Sequence, residues 1–128
     1  MKQKIEAENA PTVLGAYSQA VRVGNVVYLA GQIPLDPVGN VIMSKDFTQQ
    51  TEQVFANICA VCEACGSDLN GIVKLTVYLT DLLNFSMFNL VMTKLFTEPF
   101  PARTTIQVAA LPYGAKIEID AILVLDES

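Results

Sequence analysis

The sequence predicts an α+β fold in which two helices cover one face of a mixed β-sheet, within a single domain of residues 1–128. Two stretches carry apolar residues at helical spacing, and others alternate in the manner of strands. Their order is hairpin, helix, strand, helix, strand, strand. Because 52% of the 128 residues are hydrophobic, the chain has ample apolar surface for one core, which excludes a disordered protein.

A β-hairpin is predicted near the start of the chain. Residues 21–28 have the pattern of two strands joined by the turn Gly24-Asn25, because glycine supplies the positive φ angle that two-residue turns need. The second strand is expected to continue to Gly31. An irregular stretch follows, marked by Pro34, Pro37 and Gly39.

The first helix is predicted between two caps. Asp46 and Gln49 have the spacing of a capping box, and Gly66 suits the cap at the other end. Apolar residues between the caps recur at helical spacing and predict an amphipathic helix of about five turns. Its apolar face consists of Thr51, Val54, Phe55, Ile58, Val61 and Cys62.

The second half of the chain predicts a strand, a helix and two more strands. Residues 72–80 alternate, which places Val73, Leu75, Val77 and Leu79 on one face of a strand. A helix over 85–97 follows, and Pro99 and Pro101 prevent its continuation. The apolar stripe of this helix is Phe85, Phe88, Val91, Met92, Leu95 and Phe96.

The last two strands, 102–108 and 115–125, are joined through Pro112-Tyr113-Gly114. The final strand is apolar on both faces over residues 121–125. Two helices can cover only one face of the sheet, so we expect the other face to meet protein as well. A homo-oligomer is the simplest explanation.

Composition excludes several classes of function. The chain has no histidine, which removes Ser-His-Asp and Cys-His catalysis and histidine-based metal sites. Its net charge is −5 and its eight Lys and Arg residues are scattered, so binding to nucleic acid is disfavoured. No apolar run approaches the roughly 18–20 residues that span a bilayer, and the N-terminus lacks a signal peptide. We expect a cytoplasmic protein with no membrane partner, and a mitochondrial location is the alternative.

The three cysteines, Cys59, Cys62 and Cys65, have the spacing C-x-x-C-x-x-C. An iron–sulfur cluster takes such cysteines from loops and needs a fourth thiolate, whereas these three lie on a predicted helix and fan around it. We therefore interpret them as small buried or half-buried residues that bind no metal.

Arg103 is one of only two arginines and begins a largely apolar strand after two prolines. A guanidinium in such a place needs an anion. That anion is either an internal partner such as Glu118 or a small carboxylate held by a bidentate clamp. The other alternative is that Arg103 is a charge at a strand edge that water solvates. Spacing alone does not choose among them.

Glu118 shares one face of its predicted strand with Lys116 and Asp120. That face is either solvated or presents a carboxylate that can orient or deprotonate water. Tyr17 and Asn89 are weaker candidates, because each is more often a packing or surface residue.

Six segments together resemble the RidA/YjgF family of imine deaminases, also known as endoribonuclease L-PSP. The resemblance covers essentially the whole chain in order. The segments are Gly15-Ala16-Tyr17-Ser18-Gln19-Ala20, Gly31-Gln32-Ile33-Pro34, residues 73–79, Phe100-Pro101-Ala102-Arg103, residues 107–112 and residues 117–121.

The resemblance implies a chorismate-mutase-like α+β fold assembled as a homotrimer, with active sites in the clefts between subunits. It implies hydrolysis of 2-iminopropanoate, the tautomer of 2-aminoacrylate, and of 2-iminobutanoate to 2-oxo acids and ammonia. Pyridoxal-phosphate dehydratases release these imines, and the family uses no metal or cofactor.

Site residues follow from the same resemblance. Arg103 matches the arginine that binds the substrate carboxylate, and Glu118 matches the glutamate that helps hold the attacking water. Tyr17 and Asn89 match residues that line the cleft. Thr105 stands where many members have cysteine and is expected to contribute its backbone, and Ala30 stands where a serine is common.

Two rival functions remain at this point. A ribonuclease or translation inhibitor is the activity in one of the family's names. RNA cleavage calls for a base, an acid and phosphate-binding cations, and this acidic, histidine-free chain offers little of that. A non-catalytic trimer that binds small ligands is the other, and the presence of Arg103 favours the enzyme over it.

Overall fold

A computed structural model describes residues 1–126. The strands are β1 (Gln3–Ile5), β2 (Ala20–Val23), β3 (Val26–Gln32), β4 (Leu35–Asp36), β5 (Val41–Ile42), β6 (Ile72–Leu79), β7 (Ala102–Gln107) and β8 (Ile117–Val124), and the helices are α1 (Phe47–Ala64) and α2 (Phe85–Leu95). Six strands form one sheet in the order β1-β2-β3-β8-β6-β7, and β4 pairs with β5 separately. Because β6 and β7 are parallel while the other neighbours are antiparallel, the predicted mixed sheet is confirmed.

The predicted hairpin is present as β2 and β3. Val23 pairs with Val26, and Gly24 in the turn between them has φ +61°. Glycine adopts this left-handed conformation without the steric penalty that a Cβ atom brings. Two features were not predicted from the sequence. Strand β1 pairs with β2, and strands β4 and β5 pair with each other in the stretch after β3 that was predicted to be irregular.

Helix α1 has the predicted caps. The Oδ2 atom of Asp46 accepts a hydrogen bond from the backbone N–H of Gln49 at 3.0 Å. At the other end Gly66, with φ +75°, donates to the carbonyl of Glu63, and Ser67 donates to that of Cys62, which together form a Schellman motif. All six residues of the predicted apolar face of α1 are buried.

The two helices meet through aromatic side chains on the same face of the sheet. The Phe55 ring of α1 lies 6.1 Å from that of Phe88 and 5.5 Å from that of Phe96. Beneath them the inward residues of β6 and β8, such as Leu75 and Ile119, are fully buried. This confirms the predicted arrangement of two helices over one face.

Three details of the predicted elements were wrong. A bulge in β6 between Ile72 and Lys74 leaves Val73 as the extra residue, so Val73 is 46% exposed and Ile72 takes its place in the core. Helix α2 ends at Leu95 instead of residue 97, and Phe85 and Leu95 on its predicted apolar stripe are exposed.

The other face of the sheet is not covered by the described chain. Along β8 the burial alternates, so that Glu118, Asp120, Ile122 and Val124 are only half-buried on this face. On the neighbouring strand β3, Tyr28 is 51% exposed. None of the helices within residues 1–126 is both long and apolar enough to cross a membrane.

The three cysteines lie on or just after α1 as unpaired thiols, Cys62 buried and Cys59 and Cys65 half-buried, as predicted. Burial raises the pKa of the Cys62 thiol to about 12. Burial also raises the pKa values of the other two. Because thiolates are the reactive form, all three are poor nucleophiles at neutral pH.

Candidate active site

A cavity of about 630 Å³ lies where the loop between β1 and β2 meets the end of β3 and the start of β8. Its lining includes Tyr17 from the loop, Ala30 and Gly31 from β3, and Glu118 from β8. Tyr113, which the sequence did not single out, also lines it. The structure therefore brings three of the predicted site residues, Tyr17, Ala30 and Glu118, to one cavity.

Glu118 is the acidic group of this cavity. Its side chain lies on the face of the sheet away from the helices, because its strand neighbours Ile117 and Ile119 are fully buried on the helix face. Burial, and secondly the negative charge of Asp120, raise the pKa of Glu118 above its ordinary value. The Asp120 carboxylate in turn accepts a hydrogen bond from the Tyr78 hydroxyl at 2.9 Å. A carboxylate with a raised pKa is a better proton acceptor, as expected of a general base.

Gly31 makes room for the Glu118 side chain. A Cβ atom at position 31 would clash with the Glu118 carboxylate and come within 3.2 Å of its Cγ. The glycine is thus required for a close approach and not for an unusual backbone conformation. Its place in the sequence, after Ala30 in β3, carried no signal for this contact.

We expect Gly31→Ala to lower kcat/KM for the reaction proposed below by about tenfold while the protein remains folded. The clash falls on the movable end of a side chain, so Glu118 rotates away and the backbone stays in place. Steady-state kinetics and thermal unfolding of the same preparation test this. The control is Gly39→Ala, whose Cβ would find its nearest neighbour at 3.6 Å. Unchanged kinetics in Gly31→Ala would show that the position of Glu118 is not critical.

Arg103 lies on the opposite face of the sheet from Glu118. It pairs in register with the fully buried Leu75, so its side chain points toward the helices. There the guanidinium carbon lies 5.3 Å from the ring centre of Phe85 and 5.1 Å from that of Phe88. These rings hold the guanidinium by cation–π contacts, and burial lowers the pKa of Arg103 from its ordinary value.

The Arg103 guanidinium makes no hydrogen bond or ion pair with any residue in the range 1–126. In particular, it does not pair with Glu118 within one chain. The guanidinium carbon lies within 5.3 Å of two aromatic ring centres, while the N–H groups have no acceptor among residues 1–126. A planar carboxylate could accept two of these N–H groups side by side.

Thr105 and Asn89 lie near Arg103 and not near the cavity. Thr105 follows Arg103 by two residues on the same face of β7 and pairs with Val77. Its Oγ1 atom is buried and finds no hydrogen-bond partner among the described residues. Asn89 is half-buried and lies one turn after Phe85 on α2.

The predicted site residues therefore form two groups in one chain. Arg103, Thr105 and Asn89 lie on the helix side near the edge strand β7, while Tyr17, Ala30 and Glu118 surround the cavity. Sequence reasoning missed Phe85 and Phe88 as neighbours of Arg103, because helical spacing identified them only as part of an apolar stripe. The register of β7 beside β6, which places Arg103 under α2, has no local signal.

The fold is that of the RidA/YjgF proteins. It superimposes with a TM-score of 0.92 on RidA from the Antarctic bacterium Psychrobacter sp. PAMC 21119, at 49% identity and with 96% of this chain and 99% of that chain covered. Residues 7–125 match the family described as endoribonuclease L-PSP, and the chain belongs to this family.

Relatives that match over nearly their whole length carry different names. A RutC family protein of Pyrococcus horikoshii is 47% identical over 122 residues, covering 95% of this chain and 97% of the relative. A protein of Dermatophagoides farinae named 2-iminobutanoate/2-iminopropanoate deaminase is 40% identical, covering 98% of each. The names of such relatives support an enzyme that acts on imines.

Proposed function

We propose that this protein hydrolyses 2-iminopropanoate, the tautomer of 2-aminoacrylate, and 2-iminobutanoate to the corresponding 2-oxo acids and ammonia. The observation that carries the proposal is the Arg103 guanidinium, which lies beside two phenyl rings and pairs with no acidic side chain among residues 1–126. A small carboxylate is the ligand that such a group fits best. The relative named as a deaminase of these two imines agrees with this substrate class.

The proposed reaction needs a positioned substrate, one water molecule and a base. Arg103 binds the carboxylate and thereby places the protonated imine carbon, which is already electrophilic. Glu118 accepts a proton from water as its oxygen bonds to that carbon, which forms a carbinolamine. Protonated Glu118 gives this proton to the nitrogen, and the carbon–nitrogen bond breaks so that ammonia leaves. The ionised Glu118 then takes the hydroxyl proton as the carbonyl forms and releases it to solvent. No metal or cofactor takes part in this scheme.

The site is proposed to form between two copies of the chain. Arg103 and Glu118 lie on opposite faces of one sheet, so one chain does not present both to the same small molecule. The half-buried apolar residues Ile122 and Val124 and the exposed Tyr28 form a face that a second copy can cover. A homotrimer, as the family resemblance implies, satisfies both requirements with three equivalent clefts.

The pH dependence of kcat/KM provides one test of the role of Glu118. If ionised Glu118 is the base, activity falls as the pH drops through its pKa. Burial and Asp120 raise that pKa, so we expect the acid limb of the profile above the ordinary Glu value of about 4.3. Glu118→Gln should lower kcat/KM by about 100-fold and abolish the limb, since a general base contributes about 10²–10⁴-fold. If the acid limb persists in Glu118→Gln, the limb arises from the titration of another group.

The proposed activity itself is tested with a threonine or serine dehydratase as the source of the imine. The rate of 2-oxo acid release is followed with and without this protein, and acceleration is expected. Absence of acceleration with either substrate would refute the proposal. RNA degradation that survives metal chelation and disappears in Arg103→Ala would favour a nuclease instead. We propose a cytoplasmic location for this activity, with a mitochondrial one as the alternative.

A further inference from the structure

One buried amide, that of Gln19, holds the loop that carries Tyr17. The Gln19 side chain is only 8% exposed. Its Oε1 atom accepts a hydrogen bond from the N–H of Ala7 at 2.6 Å. Its Nε2 atom donates to the carbonyl of Ala7 at 3.2 Å and to that of Pro11 at 2.8 Å. All polar atoms of this amide are therefore used, and all partners are backbone atoms.

These bonds close a loop that we call the strap, residues 7–19, which contains no helix or strand of its own. The strap contributes Pro11, Thr12, Val13, Leu14, Tyr17 and Gln19 itself to the lining of the cavity. The backbone carbonyl of Gln19 accepts a hydrogen bond from the N–H of Ala30 at 2.9 Å. Gln19 thus connects the strap to β3 directly beside Ala30 and Gly31, on the wall of the same cavity.

Little else fixes the outer part of the strap. Residues 12–17 are all exposed, including Val13 at 40% and Leu14 at 49%, so apolar burial contributes little there. The remaining side-chain bonds are solvent-accessible: Asn40 donates to the Thr12 hydroxyl at 2.7 Å, and the Leu14 N–H donates to the Tyr17 hydroxyl at 3.2 Å. Buried hydrogen bonds resist competition from water better than exposed ones.

We propose that Gln19 is a positioning residue, whose amide sets the place of Tyr17 and of the strap wall of the cavity. This inference rests on the proposed function, because it assigns Gln19 a role in ligand binding at the same cavity. Gln19 does not need to touch the substrate. Its contribution is to keep the wall formed in the absence of ligand, so that binding does not have to order the strap.

The sharpest test is Gln19→Glu, which keeps the shape of the side chain but replaces the Nε2 donor. An ionised carboxylate then faces the carbonyl oxygens of Ala7 and Pro11 and repels them, so the strap no longer closes on residue 19. We expect KM to rise roughly tenfold or more near neutral pH, while kcat changes less than about threefold, because two buried hydrogen bonds are lost. Chymotrypsin should also cleave faster after Leu14 or Tyr17.

The pH dependence separates positioning from a general loss of stability. A buried carboxylate titrates above its ordinary pKa, and its protonated form regains one donor. The excess KM of Gln19→Glu over the wild type should therefore shrink from about pH 8 to about pH 5.5. Thr51→Val is the control, because it removes a buried hydrogen bond within α1, away from the cavity, and should leave KM and its pH dependence unchanged.

A wild-type KM and a wild-type cleavage rate in Gln19→Glu would overturn the inference. So would a raised KM that shows no recovery at lower pH. If Gln19→Glu does not fold, Gln19→Asn takes its place, since it keeps the amide but is too short to reach Ala7 and Pro11 together, and the same KM and cleavage results apply. Should the wild type show no deaminase activity, the proposed function fails, and 2-oxobutanoate binding together with chymotryptic cleavage still tests Gln19.

Discussion

Arg103→Ala is expected to lower kcat/KM for both imines by about 100-fold or more. Each charge-assisted hydrogen bond from the guanidinium contributes about 1.5–3 kcal/mol, and the proposed clamp makes two of them. The effect should appear in the rate of 2-oxo acid release when a dehydratase supplies the imine. The affinity for 2-oxobutanoate, the product of the second reaction, should fall in the same variant.

Two further variants sharpen this result. Arg103→Lys keeps the charge but loses the planar fork, so it should remain strongly impaired. Arg22→Ala removes the other arginine, whose Nε donates to the Gly24 carbonyl far along the sheet from β7, and should leave kcat/KM unchanged. Normal kinetics in Arg103→Ala would end the assignment of Arg103 as the carboxylate-binding group.

The stability of Arg103→Ala separates a functional from a structural role. Arg103 pairs with no acid within residues 1–126, so its removal leaves no buried carboxylate without a partner. We therefore expect only the loss of the contacts with Phe85 and Phe88, about 1 kcal/mol in the free energy of unfolding. A much larger loss measured by denaturant unfolding would indicate that Arg103 mainly supports the fold.

Mixing two inactive variants should restore activity if the site lies between subunits. Arg103→Ala lacks the carboxylate clamp and Glu118→Gln lacks the base. When equal amounts are unfolded and refolded together, an intact cleft forms wherever a Glu118→Gln subunit supplies Arg103 and an Arg103→Ala subunit supplies Glu118. Random assembly gives this combination at about one quarter of the clefts. We expect about one quarter of wild-type activity, against about 1% for each variant alone.

Three controls make the mixing experiment decisive. Each variant is refolded alone, the two are also mixed without unfolding, and the double variant Arg103→Ala/Glu118→Gln is refolded with the wild type. In that last mixture intact clefts form only between wild-type subunits, again about one quarter of the total. If the two single variants show no recovery while this mixture keeps its activity, both residues act within one chain, and the inter-subunit site is wrong.

Local signals in the sequence were sufficient to predict the elements whose ends are marked by a capping or turn residue. Asp46 and Gly66 mark the two ends of α1, because each satisfies backbone groups at a helix end. Gly24 marks the hairpin turn, because its φ angle is positive. The alternation of side chains along β8 likewise predicted that strand from the sequence. Strand β1 was not predicted, because three residues are too few to show a clear alternation. Its pairing with β2 also depends on a partner that is distant in the chain.

The candidate site was predictable as a set of residues but not as an arrangement. The absence of histidine, the isolated arginine and the family resemblance selected Arg103, Glu118, Tyr17, Asn89, Thr105 and Ala30. Their division between two faces of the sheet depends on the parallel register of β7 beside β6 and on the pairing of β8 between β3 and β6. Register is a property of paired strands, so one strand's sequence does not contain it.

The sequence by itself determined the fold class, the caps of α1 and the acid–base groups available for chemistry, because these depend on residue type and on spacing along the chain. Only the tertiary structure decided that Phe85 and Phe88 lie beside Arg103, that Gly31 accommodates Glu118, and that Gln19 closes the strap. Each of these contacts joins segments that are separate in sequence, and contacts of that kind are set by strand register and packing rather than by local pattern.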